Sequence, residues 1–137
     1  MPLLMGNQGE GIWLQMLANK VAPQNLVVKL FKNDYTPVDG STEANFTEAD
    51  FTGYAAYVTD PDDWTVTPGA PSLLAHPQIF FESSANQTQQ DMYGYYVVQE
   101  TSGKYMWGER FDASTRIKNN GDGQKVTPQF QLKKEGE

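Results

Sequence analysis

The sequence has 137 residues, no cysteine, and 17 acidic against 10 basic side chains, which give a formal net charge of −7. This charge opposes binding to free nucleic acid or to an anionic membrane surface, because both are negatively charged. The lack of cysteine excludes disulfides, thiol chemistry and zinc sites built on thiolates. A chain of this length is expected to form one domain, with no metal or cofactor needed to hold it.

The N-terminal region contains the one good helix candidate, residues 9–20. Ile12, Trp13, Met16 and Leu17 recur at helical spacing and form an apolar stripe. Two interpretations fit this stripe: the helix covers one end of the core, or it is an arm that docks on a neighbouring subunit. Neither a signal-peptide pattern nor a membrane-spanning apolar run is found, so we expect a protein made in the cytoplasm.

Short extended segments follow the helix. The clearest strand pattern covers residues 26–31, and further strands are predicted near residues 54–59, 64–67, 78–82 and 125–133. Proline cannot donate to a sheet ladder. Pro71 and Pro77 therefore disfavour a central strand between them, and Pro128 favours an edge position for the last strand.

The number and spacing of these segments predict the fold. With the hairpin described next they make seven or eight strands, and no strand–helix alternation indicates a parallel sheet. We therefore expect an all-β, single-domain antiparallel β-sandwich or jelly roll with one short N-terminal helix. Residues 1–22 would be the arm and helix, residues 23–132 the sandwich, and residues 133–137 a flexible tail.

Residues 92–111 have the pattern of a β-hairpin with large apolar side chains on both faces. Gly103 as the third residue of the loop suits a left-handed position, and pairing Glu100 with Lys104 sets the register. One face would carry Tyr93, Tyr95, Val97, Tyr105, Trp107, Glu109 and Phe111, and the other Gly94, Tyr96, Val98, Met106, Gly108 and Arg110. Since the core of one domain covers one face, the second face is expected to meet another subunit.

The sequence offers few groups for nucleophilic or metal chemistry. His76 is the single histidine and directly precedes Pro77, so a structural role is a better interpretation than a serine-type catalytic arrangement. One histidine without cysteine cannot supply the ligands of an ordinary zinc site. Aspartate and asparagine cluster at residues 60–63 and 119–122, where oxygen ligands could hold a cation. Turn formation explains both clusters more simply, because these side chains cap and bend the backbone. No catalytic residue, metal or cofactor is predicted.

Glu109 is the one carboxylate set among aromatic side chains in the predicted hairpin. It could serve as one acid of a glycosidase, with Tyr95, Tyr105 and Trp107 stacking on the sugar, but the sequence identifies no second acid. Carbohydrate binding without catalysis, with Trp107 or Trp64 as the stacking platform, stays an open alternative.

Several runs of the sequence resemble a family of small structural proteins encoded by tailed bacteriophages. These runs are LVVKLFKNDYTP at residues 26–37, FTEADFTGYAA at 46–56, WTV at 64–66, YGYYV at 93–97 and WGERF at 107–111. The resemblance covers most of the chain. It implies a virion component, and the family motif implies no catalytic residues.

This resemblance leads to a functional expectation. We expect a non-enzymatic cement or decoration protein on the capsid surface of a virion assembled in the bacterial cytoplasm. Its expected partners are the major capsid protein and further copies of itself, and not nucleic acid or a membrane. Candidate subunit contacts are Trp13, Leu17, Tyr93, Tyr95, Tyr96, Tyr105, Met106, Trp107 and Phe111. The alternatives are a tail or head–tail adaptor component and a carbohydrate-binding module.

Overall fold

A long antiparallel hairpin forms the centre of the fold. The computed structural model describes residues 4–132, and these contain, in chain order, β1 (Leu4–Met5), α1 (Asn7–Leu17), β2 (Leu26–Phe31), β3 (Tyr57–Val58), β4 (Thr65–Thr67), β5 (Ser72–Ala75), β6 (Ile79–Glu82), β7 (Gln90–Gln99), β8 (Tyr105–Ile117), β9 (Gly123–Val126) and β10 (Gln129–Leu132). The predicted all-β single domain with one short helix is confirmed. Eight of these strands have three residues or more. The predicted tail, residues 133–137, lies outside the described residues.

Three antiparallel sheets make up the described part of the chain. The largest has the order β1-β8-β7-β2-β3, the second the order β10-β5-β4, and the third pairs β6 with β9. The first core lies between the largest sheet and the two smaller ones. Its buried members include Leu30, Phe81, Val97, Trp107, Ile117 and Val126. The arrangement is therefore sandwich-like, with one continuous sheet facing two short ones.

The opposite face of the largest sheet is covered by the loop between β2 and β3. Phe46 of this loop stacks on Tyr96, with ring centroids 4.4 Å apart, and on Tyr105 at 5.1 Å. Its ring also meets Phe31 edge-on at 5.0 Å. Both faces of the hairpin are thus buried inside one chain, which corrects the expectation that the second face is left for another subunit.

Asn33 holds the covering loop in place. Its side-chain amide donates to the Asn45 carbonyl at 3.0 Å and accepts from the Thr47 amide at 2.8 Å, so the start of the loop is tied to the residues on either side of Phe46. The next residue, Asp34, forms an ion pair of 2.6 Å with Arg110 on β8. Two neighbouring polar residues therefore close the loop and fasten it to the hairpin.

Two register shifts change the predicted faces of the hairpin. The predicted pairing holds where Tyr95 faces Glu109 and Val97 faces Trp107, and Gly103 has the expected left-handed φ of 70°. Near the loop, however, Val98 pairs with Tyr105, which leaves Met106 as an extra residue. A bulge of this kind reverses the facing of the residues beyond it. Tyr105 consequently lies in the second core and Met106 in the first.

A second shift separates Tyr93 from Phe111. The pairing changes between Met92 and Gly94, so Tyr93 packs against the second core while Phe111 packs against the first. The prediction that these two side chains share a face is therefore wrong.

One prediction based on proline is corrected and one is confirmed. β5 lies between Pro71 and Pro77 and is the central strand of its sheet, because both prolines fall outside its hydrogen-bonded residues. The predicted last strand is divided at Pro128 into β9 and β10, which pair in different sheets. β10 does lie at a sheet edge, as expected.

Candidate functional site

Helix α1 lies closely against the bulge of β8. The Gly6 amide donates to the Met106 carbonyl at 3.2 Å, and the Asn7 amide donates to the Asp39 carbonyl at 2.7 Å. Gly9 is buried, and a Cβ atom at this position would lie only 2.3 Å from the Met106 oxygen. Glycine at position 9 thus allows the helix to approach the strand backbone at this distance.

The helix ends in a defined reversal of the chain. Asn19 has a left-handed φ of 57°, its amide donates to the Met16 carbonyl, and the Lys20 amide donates to the Gln15 carbonyl. This pair of bonds is the Schellman arrangement, which satisfies the last carbonyls of a helix. The helix therefore stops at Leu17, three residues before the predicted end, and it begins at Asn7, two residues before the predicted start.

The predicted apolar stripe of the helix is divided between core and solvent. Ile12 and Met16 pack against the first core. Trp13, Leu14 and Leu17 point outward, with 38%, 56% and 73% of their surface exposed. Because the helix is apolar on two sides, one side remains uncovered within the described chain.

A groove of about 560 Å³ opens beside this uncovered side, and its lining is chiefly apolar. The buried Met106 and Trp107 and the half-buried Leu26 contribute to its inner part. Its rim includes the exposed Trp13, Leu14, Val66 and Leu132, from α1, β4 and β10. We call the three outward side chains of the helix and this groove the α1 face.

Sequence reasoning missed part of the α1 face. Leu14, Val66 and Leu132 were not among the candidates. Val66 and Leu132 are single apolar residues with no local pattern that marks them as exposed. The groove depends on the pairing of β5 with both β4 and β10, which brings Val66 and Leu132 to one sheet. Leu14 alone had a usable signal, since it follows Trp13 and precedes Leu17 at helical spacing.

The structure separates the predicted contact residues into three groups. Five of them are buried in the chain's own cores: Tyr95, Tyr96, Tyr105, Met106 and Trp107. The three tyrosines do not form a second face for a partner, which corrects that interpretation, whereas Met106 and Trp107 also line the groove beside α1. Tyr93 and Phe111 are half-buried. Trp13 and Leu17 are exposed, so their role as subunit contacts stays a prediction.

Glu109 lies beside buried aromatic residues, but they do not form a sugar platform. Its carboxyl neighbours the Tyr95 hydroxyl, and burial raises the pKa of both groups above their ordinary values. Tyr95 and Trp107 are almost fully buried, and their side-chain polar atoms have no hydrogen-bond partner in the described chain. A sugar ring stacks on an exposed aromatic face, which neither side chain provides.

The other candidates for sugar or metal chemistry have structural contacts. Trp64 packs edge-on against His76 and Trp107 and donates its indole N–H to Thr59 at 2.9 Å. His76 is buried, with its Nδ1 2.7 Å from the Pro77 carbonyl.

The two aspartate and asparagine clusters form turns. Asp60 accepts the amide of Asp62 at 2.9 Å, and Asp122 accepts the amides of Lys118 and Asn119. Across residues 4–132, no group of three histidine, aspartate or glutamate side chains is arranged to hold a metal. The same residues contain no helix that is long and apolar enough to cross a membrane.

Comparisons with known proteins give no family for this chain. Neither protein-family models, nor curated proteins, nor solved structures match it. The similarity to structural proteins of tailed bacteriophages therefore remains a prediction from the quoted sequence runs.

Proposed function

We propose that this chain is a non-enzymatic virion structural protein of a tailed bacteriophage, which binds the outside of the capsid as a cement or decoration protein. The α1 face is the observation that carries this proposal. Trp13, Leu14 and Leu17 are exposed beside an apolar groove on one surface. Contiguous exposed apolar surface marks sites of protein–protein contact. The resemblance of the sequence runs supports the assignment to a phage particle.

A cement or decoration protein acts by binding other proteins and catalyses no reaction. The expected partners are the major capsid protein and other copies of this chain, and burying the α1 face would supply the apolar part of the binding energy. Copies that join on the capsid surface would bridge neighbouring capsid proteins and oppose their separation. The expected location is the capsid surface, after assembly in the cytoplasm of the host.

Counting this protein in purified particles tests the proposal. A decoration protein follows capsid symmetry, so quantitative mass spectrometry should find on the order of hundreds of copies per particle. A tail or adaptor component would be present in tens of copies or fewer. Absence from purified particles would contradict any virion function.

Particles that lack the protein provide the second measurement. If the protein stabilises the capsid, these particles should release their DNA at a lower temperature than complete ones. Addition of the wild-type protein should restore the original release temperature, and addition of Leu17→Glu should restore it less well. Phe80→Glu is the matched control, because Phe80 is 48% exposed but does not belong to the α1 face.

A further inference from the structure

The α1 face carries both a recess and the side chains that could fill it. Leu14 and Leu17 protrude from the helix, and the groove lies directly beside the helix. A surface with both features can pair with a second copy of itself about a two-fold axis, since each copy then supplies protruding groups to the other's recess.

The charges of the helix favour the same arrangement. Residues 7–20 contain two charged side chains, Glu10 in the first turn and Lys20 just after the C-terminus, and both are exposed. Three of the exposed residues between them, Trp13, Leu14 and Leu17, are large and apolar, and no other exposed residue between them is charged. When two such helices pack antiparallel, Glu10 of one copy comes to the end of the other helix where Lys20 lies.

We propose that the α1 face binds the α1 face of a second copy, with the two helices antiparallel across a two-fold axis. Glu10 of each copy pairs with Lys20 of its partner, and Leu14 and Leu17 enter the partner's groove. A different partner would not need opposite charges at the two ends of one helix. Self-pairing forms two equivalent pairs of Glu10 with Lys20 and leaves neither charge opposite a like charge.

The size of the helix requires that the groove takes part. A helix of eleven residues is roughly 16 Å long. A stable interface buries about 800 Å² of surface on each partner. The helices alone are too small for this area, so the rim residues Val66 and Leu132 belong to the same contact. This dimer would be the contact through which copies join on the capsid, and its biological role rests on the proposed function.

The oligomeric state of the purified full chain tests this inference. Sedimentation equilibrium should show a monomer–dimer equilibrium for the wild-type protein, and Leu17→Glu should make it monomeric. Leu17 is 73% exposed, so the variant should keep the wild-type circular dichroism spectrum. Phe80→Glu, which places the same charge outside the α1 face, should still dimerise.

A charge exchange tests the antiparallel register. Glu10→Lys and Lys20→Glu should each raise the dimer dissociation constant about tenfold, because each creates two like-charge pairs. The double variant E10K/K20E should return it close to the wild-type value. A parallel or unrelated contact would show no such recovery.

The inference and the proposed function can fail separately. A wild-type chain that stays monomeric at about 100 μM, where a dissociation constant of about 1 μM would make it mostly dimeric, would overturn the inference even if the protein occurs in particles. Dimers that are insensitive to Leu17→Glu, or a double variant without recovery, would also overturn it. A dimer with the expected charge dependence supports the inference even if the protein is absent from particles.

Discussion

At the scale of single residues, Phe46 is the side chain from outside the sheets that covers the second face of the hairpin. Its ring contacts Phe31, Tyr35, Tyr96 and Tyr105, so it fills the centre of the second core. Without it, the hairpin would present an aromatic face to water. The aromatic side chains on the second face of residues 92–111 are therefore covered by one phenylalanine about fifty residues earlier in the chain.

Truncation of this ring should be strongly destabilising. We expect Phe46→Ala to lower the free energy of unfolding by about 3–5 kcal/mol, since it removes a buried aromatic side chain and leaves a cavity. Urea unfolding monitored by circular dichroism measures this loss. Phe80→Ala, at an exposed position, should change the free energy by less than about 1 kcal/mol, and equal effects of the two substitutions would contradict the assigned role of Phe46.

Asp122 should make the stability of the chain depend on pH. The amides of Asn119 and Lys118, at 2.7 and 3.0 Å, hold the pKa of its carboxyl below the ordinary value. A lowered pKa in the folded state stabilises the protein above the unfolded pKa, and this contribution is lost as the pH falls through the folded pKa.

Asp122→Asn should therefore lower the melting temperature at about pH 7, and its difference from wild type should shrink below about pH 3. Thermal unfolding at both pH values measures this effect. A difference that is constant across the range would show that the charge of Asp122 is not involved.

At the scale of elements, the bulge at Met106 joins the hairpin to the helix. The carbonyl of this extra residue accepts the Gly6 amide, and the buried Gly9 lies directly against it. The bulge thus has two effects: it turns Tyr105 into the second core, and it forms the surface on which α1 rests.

Substitution of two glycines of the helix distinguishes the effect of close helix packing from that of helix propensity. Gly9→Ala should destabilise the chain by about 2 kcal/mol, because the added methyl group meets strand backbone and overpacks the contact. Gly11→Ala should instead stabilise it by about 0.5–1 kcal/mol, since a Cβ there has no atom within 4 Å and alanine is the better helix former. Chemical unfolding of both variants tests this, and a stable Gly9→Ala would rule out the close approach.

The sequence predicted those elements whose signal is local. Residues 26–31 alternate in a recognisable strand pattern, and Gly103 marks the hairpin loop by its left-handed position. The bulge at Met106 could not be predicted, because an extra residue between Tyr105 and Trp107 leaves the local apolar pattern unchanged. Of the α1 face, Trp13 and Leu17 were among the candidates, whereas Val66 and Leu132 required knowledge of strand pairing.

At the scale of the whole molecule, the two cores share one sheet. β7 pairs with β2 on one side and β8 on the other, and its side chains enter both cores. The two short sheets, by contrast, touch the first core only. Stability should therefore be highest along β2 and β7 and lower toward the outer strands.

Amide hydrogen exchange should show this order directly. We expect the slowest exchange at the paired amides of β2 and β7, such as those of Val28 and Val97, because they open only when the whole domain unfolds. Amides of β4 and β10 should exchange faster through local opening. If β4 or β10 proved the most protected, the two-core description would be wrong.

Met5 and Leu132, near the two ends of the described chain, both line the groove. A fluorescent protein or affinity tag joined next to either residue would therefore lie beside the α1 face and block it. Gly121 lies in the turn after β8, and the last residue of β8 pairs with Gln90 at one end of β7. Gln99, at the other end of β7, lines the groove. β7 has ten residues, which separate these ends by roughly 30 Å. An internal tag inserted at Gly121 is thus the labelling site best placed to leave the α1 face accessible.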